Sequence, residues 1–107
     1  MKKVYLDCNI ILDWLMDRNP FSIYASRLVT LIETKKVIGY VSPLILANTY
    51  YILTKQYDKN VGYMFLKDSL KIFKILELTG EIVRNALNFK NIDFEDDLHY
   101  FTAQTHK

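Results

Sequence analysis

Two groups of acids in this sequence have the types and positions to do chemistry. Asp7 ends an apolar run over residues 2–6, and Asp93, Glu95, Asp96 and Asp97 crowd residues 90–101 against Lys90 alone. Crowded carboxylates repel unless they are protonated or bridged by a cation. A hard divalent ion such as Mg²⁺ or Mn²⁺ takes oxygen ligands, commonly only one or two protein carboxylates, and keeps its waters. If Asp7 and Asp96 share such an ion, the chemistry is phosphodiester hydrolysis. The ion lowers the pKa of a bound water and stabilises charge on the phosphoryl oxygens. Asn9 can hold Asp7 or cap the helix that follows. The acids also have plainer readings: Asp93 as a helix cap, Glu95 as solvated, Asp96-Asp97 as a solvated face, and Asp13 and Asp17 as surface charges.

Those acids need elements to place them. Residues 2–6 read as a strand. Ile10, Ile11, Trp14 and Leu15 recur with helical spacing, and Asn19-Pro20 breaks that helix. Ser22 can cap a second helix with Tyr24, Leu28, Leu31 and Ile32 on one face. Residues 37–41 form a second strand, and Ser42-Pro43 starts a third helix. A fourth helix follows over 59–70, then a third strand over 71–78. Thr79 caps a helix carrying Ile82, Val83, Ala86 and Leu87. Residues 88–92 are a loop, and Asp93 caps a last helix with Phe94, Leu98 and Phe101 on one face. On a wheel of about 100° per residue, Asp93, Asp96, Asp97 and Tyr100 share a separate polar arc.

Strands alternating with helices predict an α/β fold with a parallel sheet and right-handed crossovers. Ligands in such sheets bind outside the carboxyl ends of the strands, which is where Asp7 falls. Three strands are a small sheet for six helices, and the sequence stops on a helix. The expectation is a single domain over 1–107 whose last strand or strands are missing from this chain.

Composition narrows the class. With 107 residues, 50% apolar and 14% aromatic, the chain has the length of one domain and the means to bury a core, which excludes disorder. Its apolar runs fall short of the ~20 residues of a membrane span. An acid at position 7 comes too early for a signal peptide, and a lone Cys8 fits a reducing compartment, so the expected location is cytoplasmic. A net charge of +2 points to no partner. Three glycines, Gly39, Gly62 and Gly80, exclude a dinucleotide or Walker loop. His99 and His106 lack zinc spacing with Cys8. Lys67, Lys71 and Lys74 can contact an RNA backbone but read first as a solvated helix face. Tyr50, Tyr51, Tyr57 and Tyr63 can stack on bases but read first as core or interface, and Trp14 as core.

The segment Val4-Tyr5-Leu6-Asp7-Cys8-Asn9-Ile10-Ile11-Leu12-Asp13 resembles the first motif of PIN-domain proteins. Residues 92–100, with Asp93 and Asp96 in an Asp-x-x-Asp pattern at a helix start, resemble the family's later acidic motif. Ser42-Pro43-Leu44 and the stretch from Asn48 to Leu53 resemble its third helix. The resemblance covers the whole chain in order. It implies a three-layer αβα, flavodoxin-like domain with a metal-dependent nuclease site. Many members are VapC-type toxins that cut RNA with Mg²⁺ or Mn²⁺ held by three or four acids. They pair with a small antitoxin and are often homodimers. Asp7 matches the first acid and Asp96 the third, with Asp93, Asp97, Asn9 and Asn48 in support.

Two departures qualify that implication. Asn48 stands where the family usually has a glutamate, and the chain ends before a further strand and its acid. The first strand is then expected at a sheet edge. Two charged ligands bind a metal weakly, so poor metal binding is expected of the 107-residue form. The alternatives are a PIN-fold binding or regulatory module without activity and, more distantly, a receiver-like signalling domain. The receiver reading lacks the acidic pair such domains carry after their first strand.

Overall fold

The computed structural model describes residues 2–89 and 93–105. The expectations that rest on Lys90, Ile92 and His106 lie outside them. The chain forms two compact units, Met1–Ile75 and Leu76–Lys107.

The first unit holds β1 (Lys2–Tyr5), α1 (Cys8–Leu15), α2 (Ser22–Glu33), β2 (Val37–Val41), α3 (Pro43–Gln56), α4 (Lys59–Ile72) and β3 (Lys74–Ile75). The strands are parallel in the order β1-β2-β3, which puts β1 at an edge of the described sheet, as expected. Tyr5 pairs with Tyr40 and Val41 with Ile75. The Leu6 N–H donates to the Tyr40 carbonyl at 2.9 Å and carries the ladder to the residue before Asp7.

The core of this unit is Leu6, Ile11, Leu12, Ile32, Val41, Ile45, Leu53, Phe65 and Phe73. Gly39 lies inside it. A β-carbon there would meet Ile32 Cδ1 at 2.6 Å, and Leu6 and Phe73 carbons at 3.1 Å. The close seat of Ile32 on β2 therefore favours glycine at this position. Trp14 is partly buried against the same core, close to the expected role.

The caps explain the helix starts. Asp7, Ser42 and Asp58 accept from the N–H groups of Ile10, Ile45 and Val61 at 2.9, 3.3 and 3.0 Å. Each satisfies a donor that the first helical turn leaves open.

Three expectations for this unit are corrected. Ser22 does not cap α2. It is buried inside the helix and donates to Asn19 Oδ1 at 3.1 Å, while Phe21 at the cap position makes no side-chain cap bond. The buried face of α2 is Ser22, Ala25, Val29 and Ile32, whereas Tyr24 is 72% exposed and Leu31 40%. Of this face, Ile32 meets β2, at Gly39. The third strand shrinks to Lys74–Ile75 because α4 continues to Ile72, with the Phe73 N–H still donating to the Ser69 carbonyl.

The second unit holds α5 (Gly80–Phe89) and α6 (Phe94–Thr105). Thr79 Oγ1 accepts from the Ile82 N–H at 3.3 Å, as expected of a cap. Asn88 and Phe89 belong to α5 rather than to a loop. The buried positions of α6 are Asp97, Leu98 and Thr102, while Phe94 is 45% exposed. Phe101 instead packs edge-on against Phe89, with ring centroids 5.5 Å apart.

Candidate functional site

At the carboxyl edge of the sheet, β1 turns into α1 and β2 turns into α3. The Tyr5–Tyr40 register makes Asp7 and Ser42 the second residues past that rung on neighbouring strands. Both are helix caps, so two helix N-termini begin at one sheet edge. Helix N-termini favour negative charge. Asp7 is exposed, and its Oδ1 is held by the Ile10 N–H at 2.9 Å. Asn9 therefore leaves the capping of α1 to Asp7. It is exposed, and its carbonyl accepts from Arg18 Nη2 at 3.1 Å.

Arg18 also pairs with Asp13 at 2.9 Å. Asp13 is thus a half-buried ion-pair partner and not the loose surface charge expected of it, because the turn after α1 swings Arg18 back along the helix. Asp17 is exposed, as expected.

Asn48 reaches this region through α3. Its neighbour Thr49 is fully buried and donates from Oγ1 to Cys8 Sγ at 3.4 Å. Asp7 and Asn48 each sit one residue from that bond. Below them the Tyr5 hydroxyl bonds Ser42, and burial raises its pKa more than that bond lowers it. The Thr49–Cys8 and Tyr5–Ser42 contacts carry no signal in the sequence, because each depends on which helix the sheet brings alongside.

The second unit, taken by itself, carries the remaining acids singled out in the sequence. Asp93 Oδ1 accepts from the N–H groups of Glu95 at 2.8 Å and Asp96 at 3.4 Å, so Asp93 caps α6. Asp96 is exposed in the first turn. Asp97 is not part of an exposed acidic arc. It is 2% exposed, on the side of the helix shared with Leu98 and Thr102. One residue's rotation separates it from Asp96, which the wheel placed on the same arc. Glu95 and His99 approach at 3.6 Å, one helical turn apart.

These donors are hard oxygens, the type Mg²⁺ and Mn²⁺ prefer. Among the described residues, no three His, Cys, Asp or Glu side chains gather into a metal-holding group. The carboxylates fit such an ion by chemical type.

Parallel strands and crossover helices define an α/β protein, and an exposed acid, Asp7, stands where its first strand ends. A PIN-domain model matches residues 3–107, and the chain belongs to the PIN-domain family. The structure is similar to that of VapC20 of Mycobacterium tuberculosis, a toxin that cleaves the sarcin–ricin loop. The TM-score is 0.76 at 13% identity, covering 95% of this chain and 82% of that one. At that identity the likeness shows the fold. No curated protein matches the sequence.

Proposed function

We propose that this protein is a metal-dependent endoribonuclease of PIN type that hydrolyses RNA phosphodiesters. The observation that carries the reading is the family match over residues 3–107, with Asp7 exposed at the carboxyl end of β1. In this reading Asp7 and Asp96 hold Mg²⁺ or Mn²⁺. The ion, when bound, makes a water acidic enough to attack phosphorus and offsets charge on the phosphoryl oxygens. Asp7 is anchored for the task by the α1 N-terminus, and the α6 N-terminus holds Asp93 beside Asp96. Asn9 and Asn48 orient ligands or water, and Asp97 supports α6 from its buried side.

The likeness to VapC20, a toxin, supports a toxin role. A small antitoxin as partner, a homodimeric state and a cytoplasmic location complete the proposal. No described helix is long and apolar enough to cross a membrane.

The test is cleavage of a labelled RNA by the purified chain with Mn²⁺, with EDTA, and with Asp7→Asn or Asp96→Asn. Cleavage should require the metal and both acids. Cutting that survives Asp7→Asn would sink the assignment. A second reading, a PIN-fold binding module without activity, is favoured by Asn48. An asparagine there contributes no charge to a metal. That reading is supported if RNA or protein binding persists with no metal-dependent cleavage.

A further inference from the structure

The outward face of α3 continues from the candidate site. Asn48, Tyr51 and Lys55 stand at i, i+3 and i+7, within about 60° of one another on the helix and over a rise of about 10 Å. Tyr51 is 59% exposed, and Lys55 Nζ sits 4.5 Å from its ring centroid. The cation covers one face of the ring and leaves the other for a partner.

The neighbouring tyrosines are differently engaged. Tyr50 packs so closely on α4 that a β-carbon at Gly62 would meet its ring at 2.7 Å, and it pairs with Tyr63 at 5.4 Å between centroids. Across the helix pair, α4 turns Lys59, Tyr63 and Lys67 to solvent. Within an arc of about 80° on that helix, the exposed groups are therefore an aromatic ring and cations, along with Leu70. The centre of a protein interface is depleted in lysine. Exposed rings interleaved with lysines match a polyanion with stackable bases.

We infer that Tyr51 and Lys55 form a strand-binding contact for single-stranded RNA outside the cleavage centre, with a base stacked on the open face of Tyr51 and a backbone phosphate held by Lys55. The inference rests on the ribonuclease reading for its choice of ligand, and it names where the substrate strand runs: along α3, away from Asn48. The expected occupant is unpaired RNA, because a base must leave its own stack to reach the ring.

The experiment is fluorescence anisotropy of a short fluorescein-labelled single-stranded RNA of mixed sequence. The full chain carries Asp7→Asn so that the probe survives. Tyr51→Leu should weaken binding about tenfold, within the range of base–aromatic stacking, and Tyr51→Phe should leave it within about twofold. Lys55→Gln should lower the slope of log affinity against log salt by about 0.7, the share of one single-strand phosphate contact. Leucine keeps helix propensity. If Tyr51→Leu nevertheless unfolds, the Lys55→Gln slope and the Tyr51→Phe affinity decide.

Affinity unchanged in both Tyr51→Leu and Lys55→Gln overturns the contact. So does the absence of RNA binding at low salt. A change in sedimentation mass with Tyr51→Leu, without a change in RNA affinity, also overturns it and assigns the face to a second copy of the chain. The two readings fail separately. Metal-dependent cleavage with affinity blind to Tyr51 removes this contact alone. Tyr51-dependent binding without cleavage removes the nuclease reading alone.

Discussion

Thr49 hydrogen-bonds Cys8 across 3.4 Å, and Thr49 is fully buried. The bond ties α3 to the start of α1, so the helix bearing Asn48 and the turn bearing Asp7 are fixed to each other by a side-chain contact inside the core. Thr49→Val keeps the shape and removes the donor. It should cost about 1 kcal/mol in urea unfolding, whereas Thr49→Ser, which keeps the hydroxyl, should cost less. Equal losses in the two variants would mean that the methyl contact, and not the bond, holds the helices.

Asp7 caps α1 and, in the proposed reading, also holds the metal, and different substitutions separate the two. As a cap it accepts from the Ile10 N–H at 2.9 Å. Asparagine caps as well as aspartate, and alanine does not. Asp7→Ala should therefore lose about 1 kcal/mol of stability and all RNA cleavage, while Asp7→Asn should lose cleavage and keep its unfolding midpoint. Urea titration beside a cleavage assay checks both. A destabilised Asp7→Asn would show that the negative charge itself matters to α1.

The sequence carried the caps because they act locally: Ser42-Pro43, Thr79 and Asp93 start helices where their residue types say they should. It also carried the parallel sheet, since strands alternating with helices leave few other arrangements. Buried faces were harder to read. Tyr24 and Leu31 have the spacing of a core stripe, yet α2 buries Ala25, Val29 and Ile32 instead. Asp97 looks like the twin of Asp96 in sequence and is buried beside Leu98 in the fold. Which side of a helix is covered depends on its packing partner, and a wheel does not contain that information. The tyrosines of α3 and α4 show the converse. Tyr51, Tyr57 and Tyr63, read first as core or interface, are each more than half exposed.

Metal affinity should respond to position 48. Asparagine offers no charge there, so Asn48→Glu adds an anionic oxygen donor one residue from the Thr49–Cys8 bond that ties α3 to the turn bearing Asp7. Mn²⁺ binding measured by calorimetry should tighten by about tenfold or more, the scale of single-residue effects on metal affinity. The gain should vanish when Asp7→Ala is added. An Asn48→Glu variant with unchanged Mn²⁺ affinity would place the metal away from α3.

Alkaline pH should weaken the fold through Tyr5. Its hydroxyl is partly buried beneath Ser42, and burial raises its pKa above that of an unfolded tyrosine. Between the two values the folded state holds a proton that the unfolded state has lost, so stability is full below the unfolded pKa and declines as pH climbs towards the folded one. Urea midpoints taken through the tyrosine titration range should fall, and Tyr5→Phe should fall less. Identical slopes in the two proteins would assign the effect to other groups, of which Tyr63, raised through its hydrogen bond with Tyr50, is the next to remove.

Gly39 tests whether the sheet and α2 meet as closely as the geometry says. A β-carbon at this position would stand 2.6 Å from Ile32 Cδ1. Ile32 is buried, and Leu6 and Phe73 carbons stand 3.1 Å from the same point, so the added methyl group meets three side chains at once. Gly39→Ala should therefore cost about 1–3 kcal/mol, the usual range for overpacking a well-filled core. Its extended strand position would otherwise favour alanine through the entropy of the unfolded chain. Ile32→Val removes the clashing carbon, so the double variant should recover part of that loss, and the two changes should be strongly non-additive in urea unfolding. Additive losses would mean that α2 shifts as a body to admit the methyl group, and that Ile32 is not the residue that makes glycine necessary.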